Sequence, residues 1–325
     1  MRNTRFEVWP TSGALGAELL GLDLSQPLDA ELIDDIRQAF NEHGVIFIRD
    51  QRLTPEQHIA FAEHIGPINI NRFFKSVPNY PQIAEVRKEP SQTTNIGGGW
   101  HTDHSYDQIP ALGSILLARE VPPRGGDTMF ACMAQAYDAL SDGLKRTLKG
   151  LRAVHSSRHV FGVKAHQANP EKTDRYVNAE TATQDAVHPV VIRHPETGRH
   201  TLYVNAFFTT HFEGWTEKES KPLLEFLYQH AARPEFQTRF KWEEGSIAFW
   251  DNRATWHYAL NDYQGDRRLM HRITIMGSLW SRRTSSPVCA ARAAQVVAFY
   301  TPCSAAPTRP PRRWARPCRA DEVIE

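Results

Sequence analysis

Two hydrophobic rhythms run along this chain, and they change place near its first quarter. In the N-terminal part the rhythm is helical. Leu32, Ile33, Ile36 and Phe40 recur at helical spacing, which predicts an amphipathic helix over Asp29 to Glu42 with Gly44 as its stop. Val45-Ile46-Phe47-Ile48 then reads as a short, fully buried strand. Thr54-Pro55-Glu56-Gln57 offers a capping hydroxyl, a proline suited to the first turn and a glutamine at the third position. A second helix should begin there and end before Gly66-Pro67. Phe6 to Leu22 mixes apolar residues with glycine, as short strands entering a sheet would.

From Ile83 onward the texture becomes strand-rich. Strands are expected at Ile83 to Arg87, Ser114 to Arg119, Met129 to Cys132, Val187 to Arg193 and His200 to Val204. Phe236 to Trp242, Ile247 to Trp250, Thr255 to Ala259 and Leu269 to Met276 complete the set. Helices should interrupt at Ala134 to Leu148 and at Thr216 to Ala232, the latter opened by the capping box Thr216-Glu217-Lys218-Glu219. Ser157 to Gln184 has little pattern and reads as a mobile lid, since long unpatterned segments within compact domains are usually functional. Many short strands with a few helices imply a mainly β fold with flanking α-helices, closed or double-sheeted. Beyond Ser281, Pro, Ala, Ser and Arg dominate and acids vanish until Asp321. The expected organisation is therefore one domain over 1–280 and a basic, disordered tail over 281–325.

Composition narrows the class. Hydrophobic residues at 41% and charged residues at 23% are those of a soluble globular protein, and a formal charge of +1 gives no general pull toward nucleic acid or membrane. No membrane-length apolar run and no N-terminal signal are expected, and Cys132, Cys289, Cys303 and Cys318 form no C-x-x-C or zinc spacing. The thiols should be reduced and the location cytoplasmic.

Chemistry concentrates at Gly97-Gly98-Gly99-Trp100-His101-Thr102-Asp103-His104. If this run is extended, His101 and Asp103 project from one face, giving two-thirds of the 2-His-1-carboxylate site that holds non-haem Fe(II). The third ligand should be a histidine on another strand, and Trp256-His257-Tyr258 supplies one. A second constellation is basic. In Arg268-Leu269-Met270-His271-Arg272, positions 268, 270 and 272 share a strand face. Two guanidiniums facing a barrel interior would need bound anions to neutralise them. Two other readings of the same residues stay open. One is a zinc hydrolase using His101, Asp103 and His104 with a bound water. The other is a non-enzymatic β-barrel that holds an anion between its arginines.

The order Trp-His-Thr-Asp, Gly125-Gly126-Asp127-Thr128, Phe249-Trp250-Asp251-Asn252-Arg253, His257-Tyr258 and Arg267-Arg268-Leu269-Met270-His271-Arg272 resembles the Fe(II)- and 2-oxoglutarate-dependent dioxygenases of the taurine dioxygenase (TauD/TfdA) family. The resemblance runs from about Phe6 to Gly277. It implies a double-stranded β-helix of jelly-roll, cupin-like type, and a small-molecule substrate hydroxylated with Fe(II), 2-oxoglutarate and O2. His101, Asp103 and His257 would be the catalytic metal ligands. Arg268 and Thr128 would bind the distal carboxylate of 2-oxoglutarate, and Arg272 would meet a substrate anion. Asn71, His104, Phe161 and Phe208 fall at the family's substrate-contact positions. Asn71 stands where a taurine-binding histidine is found and Gly97 where an asparagine is. The implied substrate is bulkier than taurine yet still acidic: a sulfonate, a sulfate ester, or an aryloxy or alkyl carboxylate. A homo-oligomer, dimer or tetramer, is also expected, with neither nucleic acid nor membrane as partner.

Overall fold

The structure is a computed structural model, and it describes residues 5–280 apart from 170 and 172. The basic segment 281–325, with Cys289, Cys303 and Cys318, lies outside the described residues. The chain begins with β1 (Glu7–Pro10), β2 (Ala17–Leu20), α1 (Ala30–His43), β3 (Val45–Ile48), α2 (Pro55–Ile65), β4 (Ile68–Asn69), β5 (Ser76–Val77) and β6 (Tyr80–Lys88). It continues with β7 (Ala111–Glu120), β8 (Thr128–Cys132), α3 (Met133–Asp138), α4 (Asp142–Leu148), β9 (Arg152–Ser156), α5 (Arg158–Phe161) and α6 (Val163–Ala168). The last part holds β10 (Asp185–Pro189), β11 (Val191–Arg193), β12 (His200–Leu202), β13 (Thr209–Phe212), α7 (Glu217–Ala231), β14 (Gln237–Phe240), β15 (Ile247–Asp251), β16 (Thr255–Ala259) and β17 (Arg268–Met276).

One large sheet runs β1-β2-β3-β15-β7-β17-β6-β5, with β4 also paired to β17. Facing it is the smaller sheet β14-β8-β16, and β10-β9-β13 and β11-β12 form two further sheets. The period-two pattern decides what each face meets. In β3, Ile46 and Ile48 join Phe40, Phe61, Ile273 and Ile275 in a core beneath α1 and α2. Val45 and Phe47 point the other way, into a core shared with Phe130, Phe240, Trp250 and Met270 between the two sheet layers. A third core lies behind the smaller sheet, where Ala131 and Trp256 meet Leu224 and Leu227 of α7. This two-layered β sandwich with outer helices is double-sheeted as the strand pattern implied, and it is the jelly roll that the resemblance implied. No helix among the described residues is long and apolar enough to cross a membrane.

Helix ends follow the local chemistry. Asp29 accepts from Leu32 N–H to cap α1, and Gly44 closes it at φ 71°, a backbone setting that favours glycine. Thr54 and Thr216 both form complete capping boxes. Elsewhere the expectation needs correcting. The single helix over Ala134 to Leu148 is two helices, because Ser141 accepts from Leu144 N–H and starts α4 anew. The strand over Val187 to Arg193 breaks at Val190 into β10 and β11, which sit in different sheets. Phe236 closes a 3-10 turn before β14 starts. The segment 157–184 is not featureless: it holds α5, α6 and a 3-10 turn at Ala179–Thr181.

Candidate active site

The site lies between the sheet layers, where β16 meets the glycine-rich run. His101 and His257 form an isolated antiparallel bridge, with His101 N–H donating to His257 O at 3.1 Å and His257 N–H to His101 O at 2.8 Å. The extended conformation stops there. Residues 103–106 form a turn, and that turn, rather than strand alternation, brings the Asp103 carboxylate beside both rings. Gly97 helps to seat the bridge. Its φ is +76°, and a Cβ there would come within 3.1 Å of the His101 ring.

His101, Asp103 and His257 are all buried, and one ligand atom from each lies within 4.8 Å of the others. His101 Nε2 is 3.8 Å from Asp103 Oδ1, and His257 Nε2 is 3.9 Å from Oδ2. These gaps are too long for hydrogen bonds, so the three atoms converge on shared space instead of satisfying one another. His101 Nδ1 lies 2.8 Å from Gly99 O. Donation to that carbonyl leaves Nε2 with its lone pair toward the centre. Burial pushes both imidazoles below the ordinary histidine range, and for His257 the neighbouring His101 adds to the effect. For Asp103 burial acts in the opposite sense, raising the carboxyl. The charge of Arg272, followed by His257 and His101, outweighs it and holds the group well below the usual carboxylate range. Two neutral imidazoles and a carboxylate are the protonation states that Fe(II) ligation requires.

The cationic strand faces the same interior. Arg268, Met270 and Arg272 are buried, whereas Leu269 and His271 are only partly so. Arg272 Nη1 lies 3.2 Å from each Asp103 oxygen, and its guanidinium covers the Phe74 ring at 4.4 Å. Arg268 has no such counter-ion: its Nε and Nη2 find no hydrogen-bond partner among the described residues, and burial pulls its pKa down. Its guanidinium lies 5.7 Å from the Trp242 ring, whose Nε1 donates to Thr128 Oγ1 at 2.9 Å. Thr128 and Arg268 thus share a neighbour, and the Thr128 hydroxyl proton is still free to be donated. Arg267 points outward to Glu89 at 3.1 Å and to Glu120. A buried guanidinium with idle donors, on the same strand face as Arg272, suits an anionic ligand.

A cavity of about 30 Å³ adjoins His101, Asp103 and Arg272. Its walls include Phe74, Tyr106, Phe161, Tyr176, Phe207 and Phe208. Phe161 and Phe208 were singled out in the sequence. Phe207 was not, although it stacks on the His101 ring at 4.7 Å. The sequence signal for it was Asn205, whose Oδ1 accepts from the N–H groups of Phe207 and Phe208 and folds that turn toward the site. Asn71 and His104 are not among the cavity walls. His104 sits at φ 57°, with Nδ1 2.9 Å from Asp107 Oδ2 and Nε2 3.2 Å from Asn71 Nδ2. Both its nitrogens are committed, and it is not part of the converging group. A zinc site built on His104 therefore has no basis in this arrangement.

Residues 7–274 match the family described as taurine catabolism dioxygenase TauD, TfdA family. An alkylsulfatase of Acinetobacter baylyi is 36% identical over 272 residues, covering 82% of this chain and 84% of that protein. An alpha-ketoglutarate-dependent sulfate ester dioxygenase of Pseudomonas putida is 33% identical over 275 residues, covering 84% of this chain and 90% of the relative. Among solved structures, a taurine dioxygenase from Burkholderia xenovorans superposes with a TM-score of 0.72 at 37% identity. The match covers 86% of this chain and 94% of that one.

Proposed function

The chain belongs to the TauD, TfdA family of dioxygenases, and from that premise we propose a role for each residue of the site and a substrate class. The protein is an Fe(II)- and 2-oxoglutarate-dependent dioxygenase that acts on a small, anionic organic substrate. The observation that carries the assignment of roles is the buried convergence of His101, Asp103 and His257. These three residues hold Fe(II). When bound, the metal supplies the oxidising chemistry by which O2 and 2-oxoglutarate yield succinate, CO2 and a hydroxylated substrate.

The remaining residues bind and orient. Arg268 takes the distal carboxylate of 2-oxoglutarate, with the Thr128 hydroxyl as a second donor. The idle Nε and Nη2 of Arg268 support this role. Arg272 neutralises Asp103 in this structure. Once that carboxylate is committed to a metal, the guanidinium is free to pair with a substrate anion. Phe161, Phe207 and Phe208 pack the apolar body of the substrate and exclude water. Asn71 and His104, bonded to each other beside Tyr106, position that wall without touching substrate. The class these features fit best is an alkyl sulfate ester, the class named for the Pseudomonas relative. Hydroxylation at the carbon bearing the ester oxygen gives an adduct that collapses to an aldehyde and sulfate. The proposal extends to a cytoplasmic homo-oligomer, dimer or tetramer, and to a catalytic domain that ends near residue 280. Light scattering tests the assembly.

The test is succinate release from a panel of alkyl sulfate esters, sulfonates and aryloxy carboxylates. Sulfate esters should give the highest kcat/KM. Arg272→Ala should cost about ten- to a hundredfold with them, the worth of a charged hydrogen bond. Asp103→Ala should bring succinate formation to background. Turnover that survives Asp103→Ala would overturn the ligand set, and a panel without sulfate-ester turnover would overturn the substrate class.

A further inference from the structure

Behind the Asp103 carboxylate runs a line of hydrogen bonds whose direction is set at its far end. An indole N–H can only donate, and Trp250 Nε1 lies 2.9 Å from Asn252 Oδ1. The Asp103 N–H donates to the same oxygen at 3.3 Å. With Oδ1 serving as acceptor, the Asn252 amide presents Nδ2 as a donor, and Ser114 Oγ receives it at 3.1 Å. A hydroxyl has one proton to give, and Ser114 Oγ lies 2.9 Å from Asp103 Oδ2. That proton is directed at the carboxylate. All four residues are buried, and Thr102 Oγ1, donating to Asn252 O at 2.5 Å, ties the same turn down. Arg272 does not distinguish the two carboxylate oxygens, because its Nη1 is 3.2 Å from both. Ser114 does distinguish them.

We propose that Trp250, Asn252 and Ser114 are positioning residues that retain Asp103 Oδ2 and leave Oδ1 as the oxygen offered to the metal. The proposal rests on the metal reading given above. Its consequence is a carboxylate that binds through one oxygen. A metal held that way would keep more of its coordination free for cosubstrate and O2 than a two-oxygen grip would leave.

Anaerobic titration with Co(II), followed by its visible absorption, reads metal affinity and coordination without turnover. Ser114→Ala should weaken Co(II) binding about 10–100-fold and alter the absorption spectrum, with the melting temperature little changed. Ser114→Thr keeps the hydroxyl and should restore most of the affinity. Trp250→Phe keeps the ring but frees the Asn252 amide to turn, and should give a smaller loss. Parent-like affinity and spectrum in Ser114→Ala overturn the proposal, and so does a threonine variant as weak as the alanine one. If Ser114→Ala does not fold, Trp250→Phe decides, and an unchanged affinity and spectrum there overturn it. Failure of the parent protein to bind Co(II), or binding that survives Asp103→Ala, would instead sink the metal reading itself.

Discussion

Asp251 and Asp103 are both buried carboxylates that face arginine and histidine, yet their surroundings are completed to different degrees. At Asp251 every valence is used. Arg253 grips it with Nε to Oδ1 at 2.9 Å and Nη2 to Oδ2 at 2.6 Å, and His194 Nε2 adds a bond at 2.9 Å. The remaining Arg253 Nη1 reaches Glu196 at 3.1 Å. Burial alone would lower the Arg253 pKa, but Asp251 and Glu196 outweigh it and raise the group above its ordinary value. At Asp103 the histidines stand 3.8 and 3.9 Å away, and among the described residues Arg272 Nε and two donors of Arg268, on the same strand face, find no partner. Burial of charge is common to both places. Closure of the hydrogen-bond set separates them: a closed set holds strands together, and an open one waits for a ligand.

This contrast can be broken in three ways, beginning with the largest effect. Arg253→Ala should cost about 3–5 kcal/mol in a denaturant titration, because it strands Asp251 among buried neighbours. A loss below about 1 kcal/mol would show that the closed cluster carries little of the fold. Arg268→Ala should behave oppositely. Stability without ligands should hold or rise, since an unpartnered buried charge is removed. The apparent KM for 2-oxoglutarate should rise about ten- to a hundredfold, equivalent to about 1.5–3 kcal/mol. Lysine at this position should rescue only partly, as it lacks the planar fork. Unaltered 2-oxoglutarate affinity would remove Arg268 from the cosubstrate site.

The smallest effect concerns a neutral buried group. His58, on α2, is fully buried with no hydrogen-bond partner for either nitrogen among the described residues. Burial, with help from His271 and Arg119, lowers its pKa from 6.5 to about 3. Between those values the unfolded chain binds a proton that the folded chain refuses. This residue therefore costs stability as pH falls through 6.5, and the loss levels off near pH 3. By pH 5.5 its share should be about 1 kcal/mol. His58→Leu should remove that part of the slope in a melting series across pH. An unchanged slope would show that the imidazole finds a partner or water in solution.

How much of this was legible in the sequence depended on whether one local rule sufficed. The capping boxes at Thr54 and Thr216 were readable because each is complete within four residues. The inward face of β17 followed from period two alone. Strands β9 and β13 were missed: each mixes apolar with polar side chains, and His155 and Thr209 among them meet each other only across the 54 positions that separate them. The H-x-D spacing named Asp103 but not the turn that delivers it. Ser114 and Asn252 escaped for a related reason. They lie 138 positions apart, and neither residue type announces that it will meet a carboxylate. His104 looked like a ligand because its competitors for the ring, Asp107 and Asn71, are recognisable only once the turn has formed.

The residues that fix Asp103 and the substrate walls hang from different parts of the chain. Ser114 belongs to β7 and Arg272 to β17, both in the large sheet, and Asn252 directly follows β15 of the same sheet, whereas Phe161 and Tyr176 come from segment 157–184, and Phe207 and Phe208 from the turn before β13. Such a division makes the enzyme modular. Wall segments can be exchanged, lengthened or randomised in a library without disturbing the sheet that fixes Asp103. Phe207 and Phe208 are exceptions, because both rings pack on His101. A library that varies Phe161 and Tyr176 and keeps Phe207 and Phe208 should therefore change which molecule is oxidised while leaving the oxidising machinery as it was inherited.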